Sequence, residues 1–173
     1  PRDKSWPAGE YESRIRVREA GREVALIPLT ISLRPHFLPD ENHSNIWLYG
    51  STQVAASYFP GLPDSLVERM LKFECHRHRI DLVGCSDAHR SPFDEKIMAG
   101  YKPWLDGSAF TPANGYWGPG QGQGEKLFTV GIYGSITGRV FDSREEARAE
   151  SDKWVGWFEK NAPGVTYFWY MID

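Results

Sequence analysis

The chain reads as an α+β domain, and three observations carry that reading. Strict alternation opens the sequence, two S-x-x-E boxes introduce helical-period segments further on, and short β-prone runs stand between and after them. Strands and helices mixed in this order predict a mixed or antiparallel sheet, an N-terminal β-hairpin and two main helices. A single compact domain over residues 1–173 is expected.

Residues 10–18, EYESRIRVR, place Tyr11, Ser13, Ile15 and Val17 on one face and Glu12, Arg14, Arg16 and Arg18 on the other. Gly21 supplies a turn, and EVALIPLTISL returns as the second strand. Pro28 has no amide hydrogen, which points to an edge or a bulge at that position. The arginines interleave with Glu10, Glu12, Glu19 and Glu23, so this face is expected to be solvated and self-neutralising.

After a proline-rich polar loop, NIWLYG reads as a short buried strand. Ser65 and Glu68 form a capping box, and Leu62, Leu66, Met70 and Phe73 recur at near-helical spacing. A helix is therefore expected from about Ser65 to Arg77. IDLVGC is a short apolar strand, and SPFDEKIMAGY a short helix with Pro92 in its first turn. Residues 102–124 are glycine-rich and patternless; a loop of that length is usually functional, so a lid or binding loop is expected, with Tyr116 and Trp117 as exposed aromatic anchors. EKLFTVGIYGSITGRVF follows as a glycine-rich hairpin. Ser143 and Glu146 open the second main helix, with Ala147, Trp154 and Phe158 inward, and VTYFWYMI closes the chain as a strand.

Composition narrows the function. With 40% hydrophobic and 25% charged residues, the chain can bury a core without covalent staples. A net charge of −3 excludes a domain held on nucleic acid by a global positive field. Two cysteines do not make a disulfide framework, and two free thiols in a reducing cytoplasm are expected. No run approaches the ~18 apolar residues of a membrane span, and PRDKSWPAGEYES lacks the apolar core of a signal peptide. A soluble, cytoplasmic protein is the expectation.

The densest chemistry lies in residues 73–94, FECHRHRIDLVGCSDAHRSPFD. A strand runs into Gly84, and the chain then turns and enters a helix. Such a corner favours an anion, because free amides and the helix dipole point at it. Ser86, His89, Arg90 and Ser91 would add donors, and Asp87 and Asp94 could hold a divalent cation such as Mg²⁺ bridging nucleotide phosphates. His89 is the candidate base, Arg90 the charge stabiliser and Asp87 a further catalytic group. A second reading of the stretch takes Cys75, His78, Cys85 and His89, spaced C-x2-H-x6-C-x3-H, as zinc ligands. Its first pair falls on a helix end and its spacer contains a strand, so a structural zinc is not expected.

Gly84–Cys85 followed by His89–Arg90, together with Cys75–His76–Arg77, resembles the ParB/sulfiredoxin superfamily. There a strand leads through a signature such as G-C-H-R into a helix that meets a nucleotide phosphate. In this chain the signature is split between two places, and the resemblance covers this stretch alone. It implies nucleotide or nucleic-acid phosphate as the partner and nucleotidase or nuclease chemistry; it does not extend to sulfinic-acid reduction. GYWGPGQGQGEK is not a phosphate loop, because Leu127 follows Lys126 and a strand follows the glycines.

A function of a different class comes from the aromatics. The strand Tyr167–Tyr170 alternates faces and cannot bury all of its rings. One of its faces, with Tyr116 and Trp117, would suit a protein partner. That pattern fits a non-catalytic interaction or inhibitor module of bacterial, plasmid or phage type.

Overall fold

The computed structural model describes residues 6–36, 39–132 and 141–170. The chain divides into two compact units, residues 1–39 and 40–173.

The first unit is a β-hairpin. Strand β1 (Gly9–Glu19) pairs antiparallel with β2 (Arg22–Leu33). The connecting residues Ala20 and Gly21 both lie at positive φ, 47° and 82°, as tight hairpin turns that match strand twist require. The expected alternation holds: Tyr11, Ser13, Ile15 and Val17 face Ile31, Leu29, Ile27 and Ala25 across the ladder. The register slips between Val17 and Arg18, not at Pro28, which sits opposite Arg14 in unbroken pairing. With only two strands in this sheet, Pro28 is accommodated because β2 is an edge. No residue of either strand is buried.

The second unit contains two parallel strand pairs. Strand β3 (Trp47–Tyr49) pairs with β4 (Asp81–Val83), and β5 (Leu127–Val130) pairs with β6 (Thr166–Trp169). Parallel neighbours need crossovers. Helices α1 (Thr52–Ala56) and α2 (Asp64–Arg77) lie between β3 and β4, and α5 (Arg144–Asn161) lies between β5 and β6. Between β4 and β5 run α3 (Asp87–Arg90), α4 (Glu95–Leu105) and an irregular stretch holding the short 3-10 turn Pro112–Asn114. Every residue of β4 and β5 is buried, the condition in which parallel strands are found. The fold is α+β, with antiparallel pairing in the hairpin and parallel pairing in the other two sheets.

Four local expectations need correction. Strand β3, expected to be buried, leaves Leu48 and Tyr49 51% and 45% exposed. Helix α2 starts at Asp64, with Pro63 at the cap position and no side-chain cap, so Ser65 lies inside the helix and its box does not form. Pro63 supplies the carbonyl that Leu66 and Val67 bond to, and Asp64 complements the helix dipole. The buried face of α2 is also rotated: Val67, Lys72, Phe73 and His76 point inward, while Leu62 and Met70 are exposed. Helix α4 begins at Glu95 beneath an Asp94 cap, beyond Pro92, and it runs through Pro103. That proline falls in the last turn, where it removes one bond and ends the helix soon after.

At α5 the sequence is read directly. Ser143 Oγ accepts from the Glu146 amide at 3.0 Å, and Trp154, Trp157 and Phe158 are buried. They pack with Phe128, Met98, Tyr101 and Leu105 into the main core. Each such side chain stabilises the fold by about 1.5–3 kcal/mol on full burial. The stretch after β5 was expected to continue as a glycine-rich hairpin; its residues 133–140 lie outside the described residues.

The glycine-rich stretch is built into the body. Phe110 and Tyr116 are fully buried and pack with Phe73 in a second aromatic cluster. Gly107, at φ 84°, passes so close to Gly122 that a Cβ would lie 2.4 Å from its carbonyl oxygen. At Gly124 a Cβ would lie 1.8 Å from the Leu105 oxygen. Glycine is needed at both for close backbone approach.

Candidate functional site

The strand–turn–helix corner exists, and its polar groups are turned on the protein itself. Gly84 leaves β4 at φ 85°, and a Cβ there would meet the Tyr49 ring at 2.9 Å. Ser86 caps α3 through the Ala88 amide, and the Ser91 amide bonds back to Asp87. Arg90 Nε donates to the Gly84 carbonyl at 2.8 Å, which closes the turn. The Asp94 carboxylate accepts from the Lys96 and Ile97 amides at 2.8 and 3.0 Å. Asp87 is exposed. Helix α3 is only four residues long, too short for aligned peptide dipoles to sum to much.

His89 faces inward, with 0% exposure, into a buried polar network that sequence reasoning missed. Its Nδ1–H donates to the Thr129 carbonyl of β5 at 2.9 Å. Burial first, then the charges of Lys72 and Arg90, push its pKa down to about 3. The neutral ring therefore presents a bare Nε2 to the Tyr101 hydroxyl, 2.9 Å away. That hydroxyl also lies 2.8 Å from Glu125 Oε2, so one hydrogen faces two acceptors. Lys72 Nζ donates to the Tyr101 oxygen at 2.7 Å and to Glu125 Oε1 at 2.9 Å. Burial and the Glu125 charge hold the Tyr101 phenol well above its usual pKa.

Asp81, also buried, accepts from the Lys126 amide at 3.0 Å and ties β4 to the start of β5. Burial, then the Glu125 charge, raises its pKa to about 7. The network fastens α2, α3, α4 and β5 together. Among the described residues no buried side-chain nitrogen or oxygen lacks a hydrogen-bond partner.

The four residues considered for zinc are not gathered into a site. His78 is on the surface bonded to Glu74, whereas His89 is engaged by Thr129 and Tyr101. Cys75 and Cys85 are free thiols, both raised in pKa chiefly by burial. No group of three or more His, Cys, Asp or Glu side chains converges on a metal position among the described residues, Asp87 and Asp94 included.

The expected aromatic anchors separate. Tyr116 is core, its hydroxyl donating to the Pro119 carbonyl, whereas Trp117 is 66% exposed. Tyr167, Phe168, Trp169 and Tyr170 are each half-buried, and Tyr167 stacks on Phe158 at 4.3 Å between ring centres. A groove of about 450 Å³ between α4 and α5 is lined by Lys102, Lys153, Lys160 and Glu95 beside Trp157.

Exposed apolar side chains occur in two stretches, one at Ile46, Leu48, Tyr49, Val54, Tyr58, Phe59 and Leu62, and one on the hairpin, where they line up on a single sheet face. Ile15, Val17, Ile27, Leu29 and Ile31 share one face and are each 36–49% exposed. The other face carries Glu10, Glu12, Arg14 and Arg16. The alternation that signals this face was legible; the exposure of its side chains among the described residues was not. No helix among the described residues is long and apolar enough to cross a membrane. Comparison with known proteins finds no matching family model, curated protein or solved structure.

Proposed function

We propose that this chain is a protein-interaction module whose N-terminal hairpin carries the contact surface. The observation behind the reading is the uncovered apolar face of β1 and β2. A two-stranded ribbon is marginal by itself in water, and an amphipathic one is stabilised when a second layer covers its apolar side. Contiguous apolar surface of this kind on a soluble protein marks a binding surface. The phosphate-handling reading has less support, because His89 is enclosed and Arg90 and Asp94 are committed to backbone groups.

The test compares wild type with Ile27→Ser/Ile31→Ser as baits, with each retained protein purified and titrated by calorimetry. A purified protein that binds wild type and loses at least about tenfold in affinity for the variant supports the reading. No such protein, together with a thermal shift of wild type by a nucleotide and Mg²⁺ that Arg90→Ala abolishes, would replace it with the phosphate-handling one.

A further inference from the structure

We infer that one partner of the hairpin is a second copy of this chain, paired edge to edge through β1; the inference rests on the interaction reading above. The two edges of the hairpin are not equivalent. Pro28 pairs with Arg14 inside an uninterrupted register although it has no amide hydrogen to give. The Arg14–Pro28 pair is therefore of the kind whose backbone groups point away from the partner strand. Pro28 thus removes a donor from the outer edge of β2 and blunts it. By the same alternation, Glu10, Glu12, Arg14 and Arg16 direct their amides and carbonyls outward along β1, which contains no proline.

The charges on that edge are self-complementary. An antiparallel pairing of two β1 strands, with Ser13 on the two-fold axis, sets Glu12 against Arg14 of the other copy and Glu10 against Arg16. Each contact occurs twice by symmetry, and no like charges meet. Moving the register by one hydrogen-bonding step either way places Glu12 against Glu12 or Arg14 against Arg14. Opposed unlike charges favour a pairing and opposed like charges penalise it, so the sequence selects the Ser13-centred register. On the other face the same register brings Tyr11 against Ile15. The result is a four-stranded sheet with one apolar face and one on which the β1 charges stand beside Leu26 and Pro28. Arg16 is drawn across the ribbon to Glu23 of β2 at 3.7 Å, an ion pair that is largely solvent-exposed and easily exchanged.

Sedimentation velocity over roughly 1–500 µM protein tests the pairing. Wild type is expected to form a dimer that weakens with salt. Glu12→Arg, an exposed substitution, should raise the dissociation constant about tenfold or more, and the exchange Glu12→Arg/Arg14→Glu should restore it. Wild type that stays monomeric, a dimer equally tight in Glu12→Arg, or an exchange variant that fails to recover would each overturn the inference. Ile27 and Ile31 lie on β2, so their partner titration is read independently. A monomeric wild type that still loses a partner in those variants ends the self-pairing and keeps the docking reading.

Discussion

Lys72 is 1% exposed in the body of the protein, whereas Ile27 is 49% exposed in the hairpin. Each stands where the other's chemistry is usual. The lysine is tolerated because Tyr101 and Glu125 replace its water shell with charge-assisted bonds. The isoleucine is left half in water among the described residues. The contrast teaches that the buried polar groups of the body are satisfied internally, while the hairpin lines apolar side chains on one face that another layer could remove from water.

The largest expected effect breaks the body's side of that contrast. Lys72→Met leaves the Glu125 carboxylate buried without its cation and should cost about 3–5 kcal/mol in urea unfolding. The double variant Lys72→Met/Glu125→Gln should recover part of the loss. A double variant as costly as the two single changes added together would show that the pair does not act as a unit.

A middle-sized effect sharpens the comparison through pH. His89, lowered from 6.5 to about 3, refuses a proton that the unfolded chain accepts. Its contribution is present above pH 6.5 and is lost as pH falls toward 3. Asp81, raised from 3.8 to about 7, takes a proton the unfolded chain has released. Its contribution is present below pH 3.8 and is lost as pH rises through 7. Between about pH 4 and 6.5 the two slopes oppose each other, and wild-type stability should be nearly flat. In Asp81→Asn the His89 slope, joined by that of His76, whose pKa burial also lowers, is no longer offset by Asp81, so stability should climb across that window by about 1.4 kcal/mol per pH unit for each fully excluded proton. Denaturation midpoints taken at half-unit intervals decide it, and a flat profile in the variant would show that His89 is not excluded from protons as described.

The smallest effect is on the hairpin's side. Ile27→Ser should change the unfolding free energy of dilute protein by less than about 0.5 kcal/mol, because the side chain is half in water already. A loss above about 2 kcal/mol in urea unfolding would mean that the face is covered in solution.

The two regions also differed in how much could be read from the sequence. The hairpin was legible because its information is local: period-2 alternation, a glycine turn and a proline at an edge position. Helix α5 was legible for the same reason, through its Ser143 cap and inward aromatics. The buried network was not. Lys72 and Glu125 are 53 residues apart, and a lone lysine on a helix reads as surface unless its distant partner is known. Its one local sign was its place on the face shared with Phe73 and His76, hidden when the inward face was assigned to Leu62 and Met70. His89 was singled out as a candidate base, but its spacing carried no information about direction. The glycines of residues 107–124 signalled mobility when they answer to close packing around Phe110 and Tyr116.

Pro28 has a consequence at the scale of assemblies. A ribbon with two open edges has no reason to stop recruiting copies, and its natural product is a fibre. A ribbon with one open edge closes as soon as that edge is used once, because the pair presents only blunted strands outward. A single missing amide hydrogen would then limit the assembly to two. Replacing Pro28 with a residue that has an amide removes that limit, and filaments in place of dimers become the expected product.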